Sequence, residues 1–376
     1  MKIMFIVYHD INSEARSKEI YQVCNRIGDA YLITYRQPHN VNKNIYVSGN
    51  GKRRYFPFIF KAVKMLRIIK PDMVVLHDNY TSPLIPFIKL FYGSYIVYDS
   101  SELFIKSNIR RNKGKRIKSF LALLFNYFEK KYLKKADLVL AANIERAKIM
   151  KDYFRLNSIP FVFDNIHKIE EKYNIEYCIK NYKRFFVNNK FNILYAGGVR
   201  KDRETYTLAD TFKRLGKGYF LIIVGSATQL ESSEFKDYLK NNTIENVIYL
   251  GFVSRNNLKY LIENSAASIS AFKMDTYNNI FCASGKIYES IFLNRPIIVT
   301  ENPPLKRLCA EKKVGISSND FYFSIKKLHL NYDYYYKNVV KYHQELENAY
   351  NSRLKNLASL LIDKYKNKIN GDYKHD

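Results

Sequence analysis

Asn278-Asn-Ile-Phe-Cys-Ala-Ser-Gly-Lys-Ile-Tyr-Glu-Ser-Ile-Phe-Leu-Asn-Arg-Pro-Ile-Ile-Val-Thr300 reads as a loop, a helix, a stop and a short strand. Ser284-Gly285 suits a helix entry, because a Ser oxygen can cap free N–H groups and Gly lets a ligand come close. From Lys286 the spacing turns helical: Ile287, Tyr288, Ile291 and Phe292 form one apolar face, and Lys286 and Glu289 share the other. Pro296 closes the helix, and Ile297 to Thr300 reads as a buried strand. A free helix N-terminus carries roughly half a positive charge and unpaired N–H groups, which suits a phosphate. Lys286 adds a full charge beside it, and Glu289, one turn on, can accept from two vicinal ribose hydroxyls. The same residues also describe an ordinary amphipathic helix with a Ser cap and a surface Lys–Glu pair. Context decides between the two.

Working outward, the preceding residues alternate strand and helix. Phe191–Ala196 reads as a strand ending at Gly197-Gly198, Tyr219–Val224 as one ending at Gly225, and Val247–Leu250 as one ending at Gly251. Helices are predicted over about Arg203–Leu215, Glu231–Lys240 and Asn257–Ile262, with a further strand at Ala267–Phe272. In open α/β sheets, ligands bind outside the carboxyl ends of strands, and glycine there admits a close backbone approach. One such Gly is most simply a turn. Three in series, followed by the Ser-Gly-Lys helix, point to a nucleotide site.

The first half repeats the pattern. Strands are predicted at Lys2–Tyr8, Tyr31–Tyr35, Met73–His77, Tyr95–Tyr98, Leu138–Ala141 and Pro160–Phe163, separated by helices that include Phe58–Ile69 and Arg116–Lys135. The alternation predicts an α/β chain of two doubly wound parallel sheets. The boundaries read as 1–168 and 190–350, with a charged, Tyr- and Asn-rich linker at 169–189 and a helix at 351–376 that packs back on the first domain. His9, Asp10, Asp78, Ser101 and Glu102 follow strands of the first domain. They are candidates for the acceptor side of a transfer reaction, or are loop residues bonded to their own backbone. His77 is open to the same two readings, with the plain hydrogen-bonded one ahead.

The order of these pieces resembles the retaining, GT-B-fold glycosyltransferases of the family 4-like group (glycosyl transferases group 1). The matching stretches are Tyr195-Ala196-Gly197-Gly198, Ile223-Val224-Gly225, Tyr249-Leu250-Gly251-Phe252-Val253, Ser284 to Glu289 and Asn294-Arg295-Pro296. In the first half they are His77-Asp78, Tyr98 to Phe104 and Lys135 to Leu140. The resemblance implies two Rossmann-like domains facing across a cleft. Glu289 would hold the donor ribose, and Ser284, Gly285 and Lys286 would face the diphosphate. Arg203 would be a further phosphate contact. Gly251, Phe252 and Val253 would meet the base through backbone groups, with Gly197, Gly198 and Gly225 lining the site. It also implies a UDP- or GDP-sugar donor, no cofactor and no metal, and retention of anomeric configuration. The acceptor would be a saccharide, free or carried on a polyprenyl diphosphate, in bacterial surface polysaccharide or glycolipid synthesis. The sequence departs from that group in three places: Phe281 stands where the first of two acids often lies, Ser101 where a His is common, and Glu204 where a Gly usually follows the Arg.

Composition sets the outer limits. A chain of 376 residues is long enough for two domains, and 47% hydrophobic residues make it globular. Cys24, Cys178, Cys282 and Cys309 have no metal-type spacing and read as reduced thiols. Met1–Tyr8 lacks the features of a signal peptide, and no run is long enough to span a bilayer, which predicts a cytoplasmic protein. The net charge of +27 is uneven, with 30 basic against 13 acidic residues in 1–168. Such a surface attracts polyanions. Lys106–Lys118, ahead of an apolar helix, is either a solvated loop or a face for anionic lipid on the inner side of the cell membrane. Rival readings are a nucleotide-sugar epimerase on the same fold, a non-catalytic relative, and a nucleic-acid-binding protein. Against the last stands the lack of a zinc, RNP-type or basic-helix motif.

Overall fold

The computed structural model describes residues 1–11, 14–36, 44–48, 54–105, 116–186, 190–199 and 203–372, without the side chains of 116–119 and 371–372. The chain divides into two units, Met1–Asn165 with Tyr350–Asp376, and Ile166–Ala349. In the first, β1 (Lys2–Val7), β2 (Asp29–Thr34), β3 (Ile45–Val47), β4 (Met73–His77), β5 (Tyr95–Ser100), β6 (Leu138–Ala141) and β7 (Phe161–Val162) form one parallel sheet. Its order is β3-β2-β1-β4-β5-β6-β7. In the second, β8 (Phe191–Ala196), β9 (Tyr219–Val224), β10 (Val247–Tyr249), β11 (Ala267–Ser270), β12 (Ile297–Val299) and β13 (Gly315–Ser317) are ordered β10-β9-β8-β11-β12-β13. Both orders are doubly wound. The direction in which successive strands are added reverses between β1 and β4 and again between β8 and β11, and these two switch points open at the strands' carboxyl ends.

Alternation within each strand explains why both faces need covering. On β9, Leu221 and Ile223 join one core with Tyr195, Phe212 and Phe235. Phe220, Ile222 and Val224 join another with Leu258, Leu261 and Cys178 on the opposite face. All six residues of β9 and all five of β4 are buried, as expected of parallel strands with helices on both sides. Helix ends follow local chemistry. Lys70 takes a left-handed φ of 48° at the end of Tyr55–Ile69, donates its N–H to Leu66, and is followed by Pro71. All four cysteines are free and buried.

Two features differ from the sequence reading. The edge strands β3 and β13, three residues each, were not anticipated, being too short for alternation to register. The stretch 169–189 contains a helix, Ile175–Tyr182, and packs within the second unit: Cys178 is buried, and Tyr173 Oη donates to Glu263 at 2.7 Å. The last helix, Tyr332–Asp372, runs through the unit boundary. Its Leu357 and Leu361 lie in the first unit's core with Ile3, Phe5, Met73 and Val97. Among the described residues no helix is long and apolar enough to cross a membrane. The basic run Lys106–Lys118 lies outside the described residues, apart from the helix backbone from Arg116.

Candidate functional site

In the second unit the three glycine strand ends lie side by side. Gly197 N–H donates to Val224 O and Gly225 N–H to Gly251 O, both at 2.9 Å, while Tyr249 Oη donates to Gly225 O at 2.8 Å. Gly225 has φ +150°, and a Cβ there would fall 2.0 Å from Gly197 O, so only glycine fits. Gly251, at φ +78°, has nothing within 4 Å of a built Cβ, and Phe252 beside it is 80% exposed. Val253 is half-buried. The carboxyl ends of β8 to β10 thus form a hydrogen-bonded backbone ledge without side-chain cover at Gly251. Gly198 extends the ledge, with Val199 N–H bonded to Ser226 O at 3.2 Å.

The chain leaving β11 supplies the other wall. The helix Gly285–Phe292 is entered from Ser284 in an extended conformation, but the Ser284 hydroxyl makes no capping bond. The expected Ser cap is therefore absent, and the first-turn N–H groups are left to another acceptor. Gly285 is demanded by a neighbour: a Cβ would meet the His167 ring at 2.4 Å. Lys286 is exposed. Glu289 is buried, at 7% exposure, and its partner is Arg255, whose Nη2 lies 3.1 Å from Oε1. The surface Lys–Glu pair of the plain amphipathic reading is thus not formed. Arg255 is held in turn by Lys168 O at 3.0 Å. Glu289 Oε2 is buried with no hydrogen-bond partner. A buried carboxylate oxygen left unbonded is costly, and a hydroxyl donor from a ligand would relieve that cost.

Arg203, after β8, is half-buried with its guanidinium 5.8 Å from the ring of Phe272, which follows β11. Gly197-Gly198 and Arg203 thus follow β8, and Phe272 and the Ser284–Lys286 turn follow β11, the two neighbouring strands of the switch point. Glu204, next to Arg203, has a negative φ of −79°, and its carboxylate accepts from Thr207 Oγ1 at 2.9 Å. Sequence reasoning missed the support beneath this wall. Asn302, fully buried, donates to Asn279 O at 2.8 Å and accepts from Thr300 Oγ1 at 2.5 Å, while Thr300 Oγ1 accepts from Phe272 N–H at 3.0 Å. These bonds fix the 276–281 turn, where Phe281 stacks on Tyr277 with centroids 6.3 Å apart.

In the first unit, the loops after β1, β4 and β5 meet at the other switch point. Asp78 is a clamp. In a left-handed conformation at φ 58°, it accepts from Ser101 N–H and Oγ, both at 2.9 Å, and from Glu102 N–H at 3.2 Å. Asp10 pairs with Arg36 at 2.8 Å. Glu102 is exposed, and Ser101 is half-buried. His77, from sequence more simply a hydrogen-bonded loop residue, is fully buried between carboxylates, with Nδ1 2.8 Å from Asp99 and Nε2 3.1 Å from Glu14. Burial works against its positive charge, but the charges of Asp78 and Glu14 hold its pKa well above the ordinary value. Burial raises Asp99, yet Arg16, bidentate on it, brings it below the usual range. His9 stands 2.5 Å from Glu14. Glu14, Arg16 and Asp99 were missed because nothing in their spacing links them. A cavity of about 450 Å³ beside Lys70, Tyr95 and Lys368 lies at the amino end of this sheet, away from these loops.

No protein-family model matches the chain, and no curated protein matches it. Solved structures do. The fold is that of GT-B glycosyltransferases. A sucrose-phosphate synthase from Thermosynechococcus elongatus superimposes with TM-score 0.73 at 12% identity, over 97% of this chain and 99% of that one. A glycosyltransferase from Rickettsia africae gives 0.71 at 12% identity, over 97% and 99%. HepE from Anabaena, solved in complex with UDP-glucose, gives 0.65 at 13% identity over 100% of both chains.

Proposed function

We propose that this chain is a glycosyltransferase that takes a sugar from a nucleoside diphosphate sugar. The observations that carry the reading are a glycine ledge open at Gly251, a helix start whose Ser leaves the N–H groups uncapped, and one unbonded buried oxygen of Glu289. In this reading the base lies along Gly251-Phe252-Val253, and the ribose hydroxyls donate to Glu289. The diphosphate lies over Gly197, Gly198, Gly225 and the Ser284-Gly285 turn. As the sugar–phosphate bond breaks, negative charge grows on the leaving diphosphate. Arg203, Lys286 and the helix end are fixed positive groups for that charge and supply most of the acceleration, so departure calls for no metal at that end. HepE was solved with UDP-glucose, which makes a UDP-sugar the first donor to try, with a GDP-sugar next.

The finer reading follows the resemblance. Transfer retains anomeric configuration, with the departing phosphate helping to take the acceptor proton. The first unit's loops at His9, Asp10, Asp78, Ser101 and Glu102 form the acceptor side. The acceptor is a saccharide carried on a lipid diphosphate at the inner face of a bacterial membrane. Supporting a membrane-facing first unit, Phe56, Phe60 and Phe120 are 71%, 75% and 65% exposed, beside the exposed Lys64 and Arg67. Thermal stabilisation tests the core reading: UDP or GDP should raise the melting point, and oligonucleotides should not. A shift with oligonucleotides alone would sink it. Flotation with anionic vesicles tests the membrane part, and absence of co-migration at moderate salt removes it.

A further inference from the structure

We propose that His9, Glu14 and His77 form a three-ligand site for a zinc-class divalent cation at the β1/β4 switch point. One ligand atom from each, His9 Nε2, Glu14 Oε2 and His77 Nε2, lies within 4.8 Å of the other two. Zinc holds nitrogen and oxygen ligands at about 2.0–2.2 Å, so tetrahedral neighbours sit roughly 3.3 Å apart. The 3.1 Å between His77 Nε2 and Glu14 already matches, and the 2.5 Å between His9 and Glu14 needs only a small opening. Ser17 Oγ, 2.9 Å from His9 Nε2, would give way.

Three further observations favour a metal over a plain ion-pair network. His77 Nε2 and Glu14 Oε2 are buried and face each other without a well-angled hydrogen bond. A central cation would use those two lone pairs in place of the His77 proton. Asp99, 2.8 Å from His77 Nδ1 and anchored by Arg16, is the outer carboxylate that orients a ligating imidazole so that Nε2 faces the metal. Finally, access exists: His77 is closed off, but the side chains of His9 and Glu14 are 22% and 31% exposed. Asp78 Oδ2 lies 3.4 Å from His77 Nε2, but its carboxylate is committed to Ser101 and Glu102. The fourth position is therefore left for water or a substrate oxygen. Two His and one carboxylate with an open position suit zinc, cobalt or nickel better than magnesium or calcium. In the glycosyltransferase reading, an acceptor hydroxyl would be polarised there, but the cation site itself does not depend on that reading.

The test uses the full chain, stripped with chelator and titrated with Zn2+ by calorimetry and with Co2+ by visible absorption. The expected result is one ion per chain, with affinity falling at least ten-fold in His9→Ala and in Glu14→Gln, both at the exposed rim and with unchanged circular dichroism. Loss of the zinc-dependent rise in melting point should accompany it. No binding to the wild type, or equal binding in both variants, overturns the proposal. UDP stabilisation measured on the same samples separates this outcome from failure of the donor site.

Discussion

Glu129 offers a prediction whose size can be worked out. It lies on the helix Arg116–Tyr132, buried at 3% exposure, and accepts from Tyr98 Oη at 2.6 Å. Burial pushes its carboxyl from an ordinary 4.5 up to about 8. Below 4.5 both folded and unfolded chains hold the proton. Between 4.5 and 8 only the folded chain does, so the unfolded state binds fewer protons and stability falls as pH rises. Above 8 the loss is complete. At about 1.4 kcal/mol per pH unit, that interval corresponds to a ceiling of about 5 kcal/mol, reduced by relaxation around the ionised group. Glu129→Gln keeps an oxygen to accept from Tyr98 and never ionises. Urea denaturation of both proteins from pH 4.5 to 8.5 gives the comparison, and taking the difference cancels the other titrating groups. The variant should match the wild type at pH 4.5 and exceed it by several kcal/mol at pH 8. Parallel curves would refute the reasoning. The result also bears on function, because an alkaline decline in activity would otherwise be assigned to the site.

Other expectations concern the site. Lys286→Ala, at an exposed position, should lower kcat for sugar transfer about 100-fold or more with an unchanged melting point; full activity would count against a diphosphate beside that helix. Glu289→Ala removes the buried one of Arg255's two carboxylate partners, and should weaken stabilisation by UDP more than by inorganic diphosphate; equal loss would separate Glu289 from the ribose. Asn302→Ala removes the support of the 276–281 turn and should cost about 1–3 kcal/mol in thermal or urea unfolding while raising the KM for donor. Asp78→Ala loses three bonds and puts alanine at φ 58°, so a drop of about 3 kcal/mol or more is expected, whereas Asp78→Asn should lose less.

Much of the fold was legible before any coordinates. Runs such as Met73–His77 and Tyr219–Val224 are apolar throughout because parallel strands are covered on both faces, and the glycines closing β8, β9 and β10 mark where backbone must come close. Local chemistry in one stretch is enough for that. The short edge strands and the 175–182 helix were not legible, since their places are set by pairing and packing with distant residues.

At the sites the division is sharper. The sequence alone marked Ser284-Gly285-Lys286 and Glu289, because helical periodicity puts a cation and a carboxylate at fixed offsets from a glycine entry. Only the tertiary structure decided that Ser284 does not cap the helix, that Glu289 is tied to Arg255 with one oxygen unbonded, and that Asp78 is a clamp. It alone gathered His9, Glu14, His77 and Asp99 from three separate segments. Periodicity reports neighbours within one element; which charges share a buried space depends on how the sheet is wound, and that winding joins residues far apart in the chain.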